Sequence, residues 1–250
     1  MKVSIFQFDV VWLNPKENLA KIQTVCSSLS GSTDLLILPE MFNTGYTMQP
    51  NLIPESWQSV TIESLREYAT AFNITIGGTI PMLKNEKYTN TFIFVNGEGL
   101  ISQYDKMHLF TLAGEKDVYL AGENPVSLNI NEIKIQPLIC YDLRFPYISY
   151  QNEPVDLIIY SANWPITRIN HWKSLLKARA IENQCYVIGV NRTGMDENGY
   201  TYPGASSIID YNGDIVCELS NQPECFTANI DSENMQAYRQ KLPFLEDKRM

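Results

Sequence analysis

The residues Leu-Leu-Ile-Leu at 35–38, closed by Pro39, form a continuous apolar run that is too short for a core helix. Such a run reads as a strand buried on both faces. A strand of that kind needs packed layers above and below it. The neighbouring stretches have the patterns to supply them. Residues 1–9 alternate apolar and polar side chains as a half-buried strand does, and Asn14-Pro15 offers an N-cap followed by proline at the first helical position. Helical apolar spacing then continues to about residue 29, residues 56–72 read as a second amphipathic helix, and residues 74–80 read as the next strand. Asn-Gly pairs at 96–97 and 212–213 mark hairpins over 91–104 and 205–219. Between them lie strand runs at 133–140 and 155–160, a helix over about 171–183 and a strand at 185–190. The expectation is one α/β domain over residues 1–230, a mixed sheet with helices outside, followed by a poorly structured C-terminal tail at 231–250.

At 250 residues and 44% hydrophobic content, the chain is long enough to bury one sizeable core. Its formal net charge of −9 makes duplex nucleic acid and anionic membrane poor partners and leaves a small molecule or another protein as the better expectation. An anionic substrate is repelled at long range by such a chain, so it needs a local arginine or lysine in a pocket. The five cysteines are widely spaced with no C-x-x-C pair, and only two histidines accompany them, which points to no disulfide framework, no metal and no cofactor. No apolar stretch approaches a membrane span or a signal peptide core, so the expected location is the cytoplasm, where thiols stay reduced.

In α/β folds, reactive groups gather beyond the carboxyl ends of strands. Three polar residues directly follow strand runs: Glu40 after 35–39, Lys106 after the first hairpin and Cys140 after 133–139. Each alone has an ordinary explanation, as a solvated loop carboxylate, a solubilising lysine and an inert core thiol. Their surroundings say more. The strings Pro-Glu-Met-Phe, Tyr-Asp-Lys-Met-His-Leu-Phe and Ile-Cys-Tyr-Asp-Leu-Arg-Phe-Pro occur in the order and at the spacing of the nitrilase superfamily, which the chain resembles from residue 3 to about 220. Gly-Glu-Lys-Asp at 114–117, Ser-Ala-Asn-Trp-Pro at 161–165 and Lys-Ala-Arg-Ala-Ile-Glu-Asn at 177–183 extend the likeness.

The resemblance implies an α-β-β-α sandwich of two mixed sheets flanked by helices, assembled as a homodimer. It implies Cys140 as nucleophile, Glu40 as base and Lys106 as oxyanion partner, with the backbone N–H of Tyr141 as second oxyanion donor and Glu115 at the pocket wall. An amide carbonyl is a weak electrophile with a poor leaving group, so a thiol, a base to take its proton and a cation facing the oxyanion are the parts that amide hydrolysis requires. His108 is expected to be a packed structural residue.

Pro-Glu-Met-Phe-Asn-Thr-Gly-Tyr at 39–46 and Cys-Tyr-Asp-Leu-Arg-Phe-Pro at 140–146 resemble the omega-amidase branch, which hydrolyses the terminal amide of 2-oxoglutaramate and 2-oxosuccinamate. A 2-oxo acid needs a cation for its carboxylate, and Arg168 is the expected partner, with Tyr46 and Trp164 shaping the pocket. Arg144 and Arg179 are expected to be structural, pairing with Asp142 or Glu182. Two rival readings remain: an N-carbamoyl-amino-acid amidohydrolase with the same triad, and a non-catalytic binding protein that keeps the fold.

Overall fold

Side chains of the first apolar run divide by parity, as those of a strand must. Leu35 and Ile37 join a core that includes Ile135, Leu138 and Ile159, whereas Leu36 and Leu38 join a second core with Leu19, Ile22 and Leu65. The first core lies between two sheets and continues under the helix Ile169–Asn183, and the second lies under the helices that cover the other sheet. The computed structural model describes residues 1–150 and 153–249.

The first sheet contains β1 (Lys2–Gln7), β2 (Leu35–Ile37), β3 (Thr75–Lys84), β4 (Lys87–Asn96), β5 (Gly99–Asp105) and the short β6 (Tyr119–Leu120). The second contains β7 (Leu128–Ile130), β8 (Ile133–Ile139), β9 (Leu157–Ala162) and β10 (Tyr186–Asn191). A small ribbon pairs β11 (Thr193–Met195) with β12 (Thr201–Pro203). The second sheet is extended by β13 (Ser207–Ile209) and β14 (Ile215–Glu218), and β15 (Glu224–Asn229) returns to the first sheet beside β1. Strand orders are β15-β1-β2-β3-β4-β5, with β6 on β4, and β14-β13-β10-β9-β8-β7. Both sheets are mixed: β1, β2 and β3 run parallel, as do β8, β9 and β10, and the outer pairs are antiparallel except β6, which runs parallel to β4.

Helices α1 (Pro15–Ser28) and α2 (Ser56–Phe72) cover the first sheet. Asn14 caps α1 by accepting the Glu17 N–H, with Pro15 at the first position, as the sequence predicts. Two short helices follow, α3 (Glu115–Val118) and α4 (Pro146–Ser149). Helix α5 (Ile169–Asn183) covers the second sheet through Trp172, Leu176 and Ala180. The result is the layered α-β-β-α arrangement, with two sheets where residue patterning alone suggests one.

The C-terminal segment departs from expectation. Ser232–Lys241 is a helix, α6, capped by Asp231 and anchored by fully buried Met235. Arg239 fastens it further, donating to the carbonyls of Val155 and Gln184 and pairing with Asp156 at 3.2 Å. With one buried apolar side chain, the helix has little periodicity to read, and distant backbone acceptors hold it in place. Met250, the end of the expected tail, lies outside the described residues.

The sheets are also tied by hydrogen bonds. Ser161 Oγ donates to the Leu38 carbonyl at 2.7 Å, and Gln7 Nε2 donates to the carbonyls of Ser220 and Gln222 at 2.8 Å. Packing of α5 on β10 leaves no space at Gly189, where a Cβ would lie 2.4 Å from Leu176 Cδ1 and 2.6 Å from Trp172 Cζ2. Gly189→Val therefore should destabilise the fold by about 1–3 kcal/mol through overpacking. The shift is measurable in a urea titration, and an unchanged midpoint contradicts the close contact.

Candidate active site

The strands that end in reactive residues belong to different sheets, and the sandwich brings those ends together. Glu40 follows β2, Lys106 follows β5, Glu115 opens α3, Cys140 follows β8 and Asn163 follows β9. Glu40, Lys106 and Glu115 are completely buried. Lys106 Nζ donates to Glu40 Oε1 at 2.8 Å and to the two oxygens of Glu115 at 3.0 and 2.9 Å.

A buried ammonium between two carboxylates leaves an excess of negative charge, which other donors offset. Asn90 Nδ2 donates to Glu40 Oε1 at 2.8 Å and to Glu115 Oε1 at 3.0 Å. Glu115 Oε2 also accepts the Phe110 N–H at 2.6 Å and the Tyr46 hydroxyl at 3.0 Å. Glu40 Oε2 accepts the Asn163 N–H at 2.9 Å and Asn163 Nδ2 at 3.2 Å. Asn90 is itself held by the Thr79 hydroxyl, which donates to its Oδ1 at 2.9 Å and accepts the Met41 N–H at 2.8 Å.

Burial by itself lowers the tendency of Lys106 to hold its proton, but facing Glu115 and Glu40 reverses the effect and raises its pKa well above the ordinary lysine range. Burial also pushes the Cys140 thiol well above its ordinary value, and the Glu40 charge adds to this, whereas Lys106 opposes it. Burial and the Glu40 charge thus favour the protonated sulfur over the thiolate.

Cys140 has φ +43°, the left-handed region that side chains other than glycine seldom enter. Such a conformation persists where its surroundings fix it. Buried Asp142 does so, accepting the Ile139 N–H at 3.0 Å, the His108 N–H at 3.0 Å and the Tyr104 hydroxyl at 2.8 Å. His108 Nδ1 lies 2.7 Å from the same carboxylate, and its ring stacks on Phe145 with centroids 4.0 Å apart. His108 is thus a packed structural residue, as the sequence suggests.

Cys140 stands in a pocket of about 640 Å³ that is also lined by Tyr46, Tyr141, Asn163, Trp164 and Arg168. Tyr46 and Trp164 form part of its wall, and Arg168 lies over the Phe110 ring, 5.5 Å from its centroid. The expected pairing of Arg144 with Asp142 is absent, because Asp142 is occupied by the Ile139 N–H, Tyr104 and His108. Arg144 instead lines the pocket, over the Trp164 ring at 4.9 Å. Among the described residues, neither Arg144 nor Arg168 pairs with a carboxylate. Arg179 does meet Glu182, at 2.7 Å through Nη1, but its Nη2 binds the Leu143 carbonyl, so the pair is not bidentate.

Sequence reasoning did not single out Asn90 or Asn163. Asn90 interrupts a strand with Thr89 and Thr91 at its sides, and a buried amide in a strand was the available signal. Among the described residues no His, Cys, Asp or Glu cluster suits a metal, and no helix is long and apolar enough to cross a membrane.

Two mixed sheets between helices, with a strand-end cysteine beside a buried Glu-Lys-Glu cluster, define an architecture of the nitrilase type. Residues 2–240 match the carbon-nitrogen hydrolase family model. The chain is 39% identical to an omega-amidase of Yersinia enterocolitica over 99% of its own length and 96% of that protein's. It is 34% identical to a 2-oxoglutaramate amidase of Bacillus subtilis over 98% and 96%. A carbon-nitrogen hydrolase superfamily protein of Xanthomonas campestris, solved with an arsenic adduct in its active site, superimposes with a TM-score of 0.94 at 31% identity, covering 100% of this chain and 97% of that one. The chain belongs to the carbon-nitrogen hydrolase family.

A thiol held protonated by burial and a neighbouring carboxylate should react with iodoacetamide at a rate that climbs from about pH 6 to about pH 9 without a plateau. Peptide mapping of Cys140 after timed alkylation checks this. A rate already level near pH 6 means a preformed thiolate and contradicts it.

Proposed function

We propose that the chain hydrolyses the terminal amide of a short 2-oxo dicarboxylic acid, 2-oxoglutaramate or 2-oxosuccinamate, to the carboxylate and ammonia. The observation that carries this reading is the Glu40-Lys106-Glu115 cluster beside Cys140, opening onto a pocket with two arginines that meet no carboxylate among the described residues. Full-length likeness to the Bacillus subtilis 2-oxoglutaramate amidase supports the substrate class.

Cys140 attacks the amide carbon while Glu40 takes the thiol proton, so the thiolate forms only as it bonds to carbon. Negative charge passes to the carbonyl oxygen, which faces Lys106 Nζ and the Tyr141 N–H. Lys106 costs no reorganisation there, since Glu40 and Glu115 already fix its position and charge. Collapse of the adduct expels nitrogen, to which Glu40 returns the proton, and a thioester remains. Water, deprotonated by Glu40, then releases the acid. Glu115 orients Lys106, and Tyr46 orients Glu115.

At the open end, Arg168 and Arg144 hold the substrate carboxylate. Arg144 also reaches His171 Nδ1 on α5 at 3.2 Å, so the expected tie from loop to helix is made through His171 and not through Asp142. In an acidic chain, two guanidinium groups left without a carboxylate partner in one pocket suit an anionic ligand. The reading includes a homodimer and a cytoplasmic setting. Exposed Tyr147 and Ile181 on α4 and α5 support the first, and five free thiols support the second.

Ammonia release from 2-oxoglutaramate is the direct test, run beside an N-carbamoyl amino acid. Cys140→Ala should fall to background, and Arg144→Ala and Arg168→Ala should each raise KM about 10- to 100-fold, the worth of a hydrogen bond to a charged group. Faster turnover of the carbamoyl compound refutes the substrate, and unchanged KM in both arginine variants refutes the carboxylate cradle.

A further inference from the structure

The Glu40 carboxylate accepts as many hydrogen bonds as it can hold. Oε1 takes Lys106 Nζ and Asn90 Nδ2, both at 2.8 Å, and Oε2 takes the Asn163 N–H at 2.9 Å and Asn163 Nδ2 at 3.2 Å. Two carboxylate oxygens offer about four acceptor sites, and all are in use. A base acting on Cys140 needs one of them released.

Three of the donors are hard to move. Lys106 is held by charge, Asn90 is pinned by Thr79 and also serves Glu115, and the Asn163 N–H is fixed by the backbone at the end of β9. The fourth is already shared, because Asn163 Nδ2 lies closer to the Glu40 carbonyl, at 2.8 Å, than to Oε2. This bond gives way at least cost. Asn163 is also in the right place, since it lines the pocket and its carbonyl oxygen lies 4.0 Å from the Cys140 sulfur. The amide orientation is determined, because both Glu40 groups can only accept. Its Oδ1 has no hydrogen-bond partner among the described residues, so the side chain's hydrogen bonds go to Glu40 alone.

We propose that Asn163 is a positioning residue for the base: its side chain holds Glu40 Oε2 toward Cys140 and yields that oxygen to the thiol proton, so that Oε2 carries the proton from sulfur to the leaving nitrogen. The proposal rests on reading Glu40 as the base. In the first step the S–H bond breaks as Oε2–H forms, and the sulfur electron pair makes the S–C bond. In the second the C–N bond breaks, its electron pair takes the Oε2 proton, and ammonia leaves. Oε2 then regains Nδ2. The titratable groups facing this exchange are Lys106 beyond β5, Glu115 on α3, Cys140 beyond β8 and Tyr46 beyond β2.

Asn163→Asp keeps the shape and loses the donor while ionised. With the amide that the parent chain hydrolyses fastest, kcat at about pH 8 should fall about 100-fold, the scale of a misplaced catalytic group, with KM within about twofold. Relative to the parent, activity should recover toward about pH 5, where the introduced carboxyl is protonated and donates again. Asn163→Ala, which buries no charge, should lose kcat by a similar factor at every pH, and circular dichroism confirms that each variant is folded. A kcat within about threefold of the parent in Asn163→Ala, or a loss expressed in KM alone, overturns the proposal. So does an Asn163→Asp loss that stays constant with pH. Glu40→Gln run in parallel separates the two levels: if it keeps parental turnover, the base reading falls and this proposal with it. If it is inactive while the Asn163 variants are normal, only the role of Asn163 falls.

Discussion

The ammonium of Lys106, enclosed with two carboxylates and no water-facing surface, is the interaction on which the rest of the site depends. An unpaired charge in such a place is prohibitive, and a single pair seldom repays its desolvation. Here the cation meets Glu40 and Glu115 together, and the remaining negative charge is spread over donors from Asn90, Asn163, Tyr46 and the Phe110 backbone. These groups come from both sheets and from the loops beyond them. The ammonium itself is satisfied by residues beside the first sheet, and the second sheet contributes through Asn163, which completes the hydrogen bonding of Glu40.

The sheets are joined by such polar ties. Apolar packing between Leu35, Ile37, Phe92 and Phe94 on one side and the strands of the second sheet on the other sets the spacing but resists sliding weakly. Ser161 to Leu38 and Asn163 to Glu40 are directional, and both join the end of β9 to the end of β2. They fix the relative height of two strand ends, the quantity that decides whether the residues following them meet. Gln7 performs a similar service farther from the site. Catalytic geometry is thus set by hydrogen bonds across the layers, within a core that supplies the stability.

Much of this was legible in the residues. The apolar run at 35–38, the cap at Asn14 and the turn at Asn212-Gly213 are local signals, and each corresponds to an element of the structure. The hairpins turning at Asn85-Glu86 and Asn131-Glu132 were not legible. In both pairs the two residues have positive φ, and glutamate occupies a position where glycine is the usual marker. The partner of Arg144 was misread, because a nearby aspartate looked like one and the contact made is to His171. Proximity in sequence did not reveal that Asp142 is already filled by Tyr104, His108 and the backbone, so that the guanidinium turns to Trp164 and the pocket. Asn90 and the C-terminal helix share this cause, since their partners lie far along the chain and leave no periodic trace.

The buried charges also bear on how a thiol can remain unreactive in an open pocket. The carboxylates that keep Lys106 charged disfavour a thiolate, because Glu40 faces Cys140 while burial removes solvation from the anion. In a thiolate–imidazolium pair the nucleophile exists before substrate arrives. On the reading proposed here it does not, since sulfur loses its proton only when a carbonyl carbon is present to take the electron pair and its oxygen can place the new charge against Lys106. Negative charge is created where the ammonium already points and nowhere else. An electrophile with no oxygen positioned to receive that charge gains no help from Lys106. On that reading, a selectivity of the sulfur for acyl groups follows from the ion cluster of Glu40, Lys106 and Glu115.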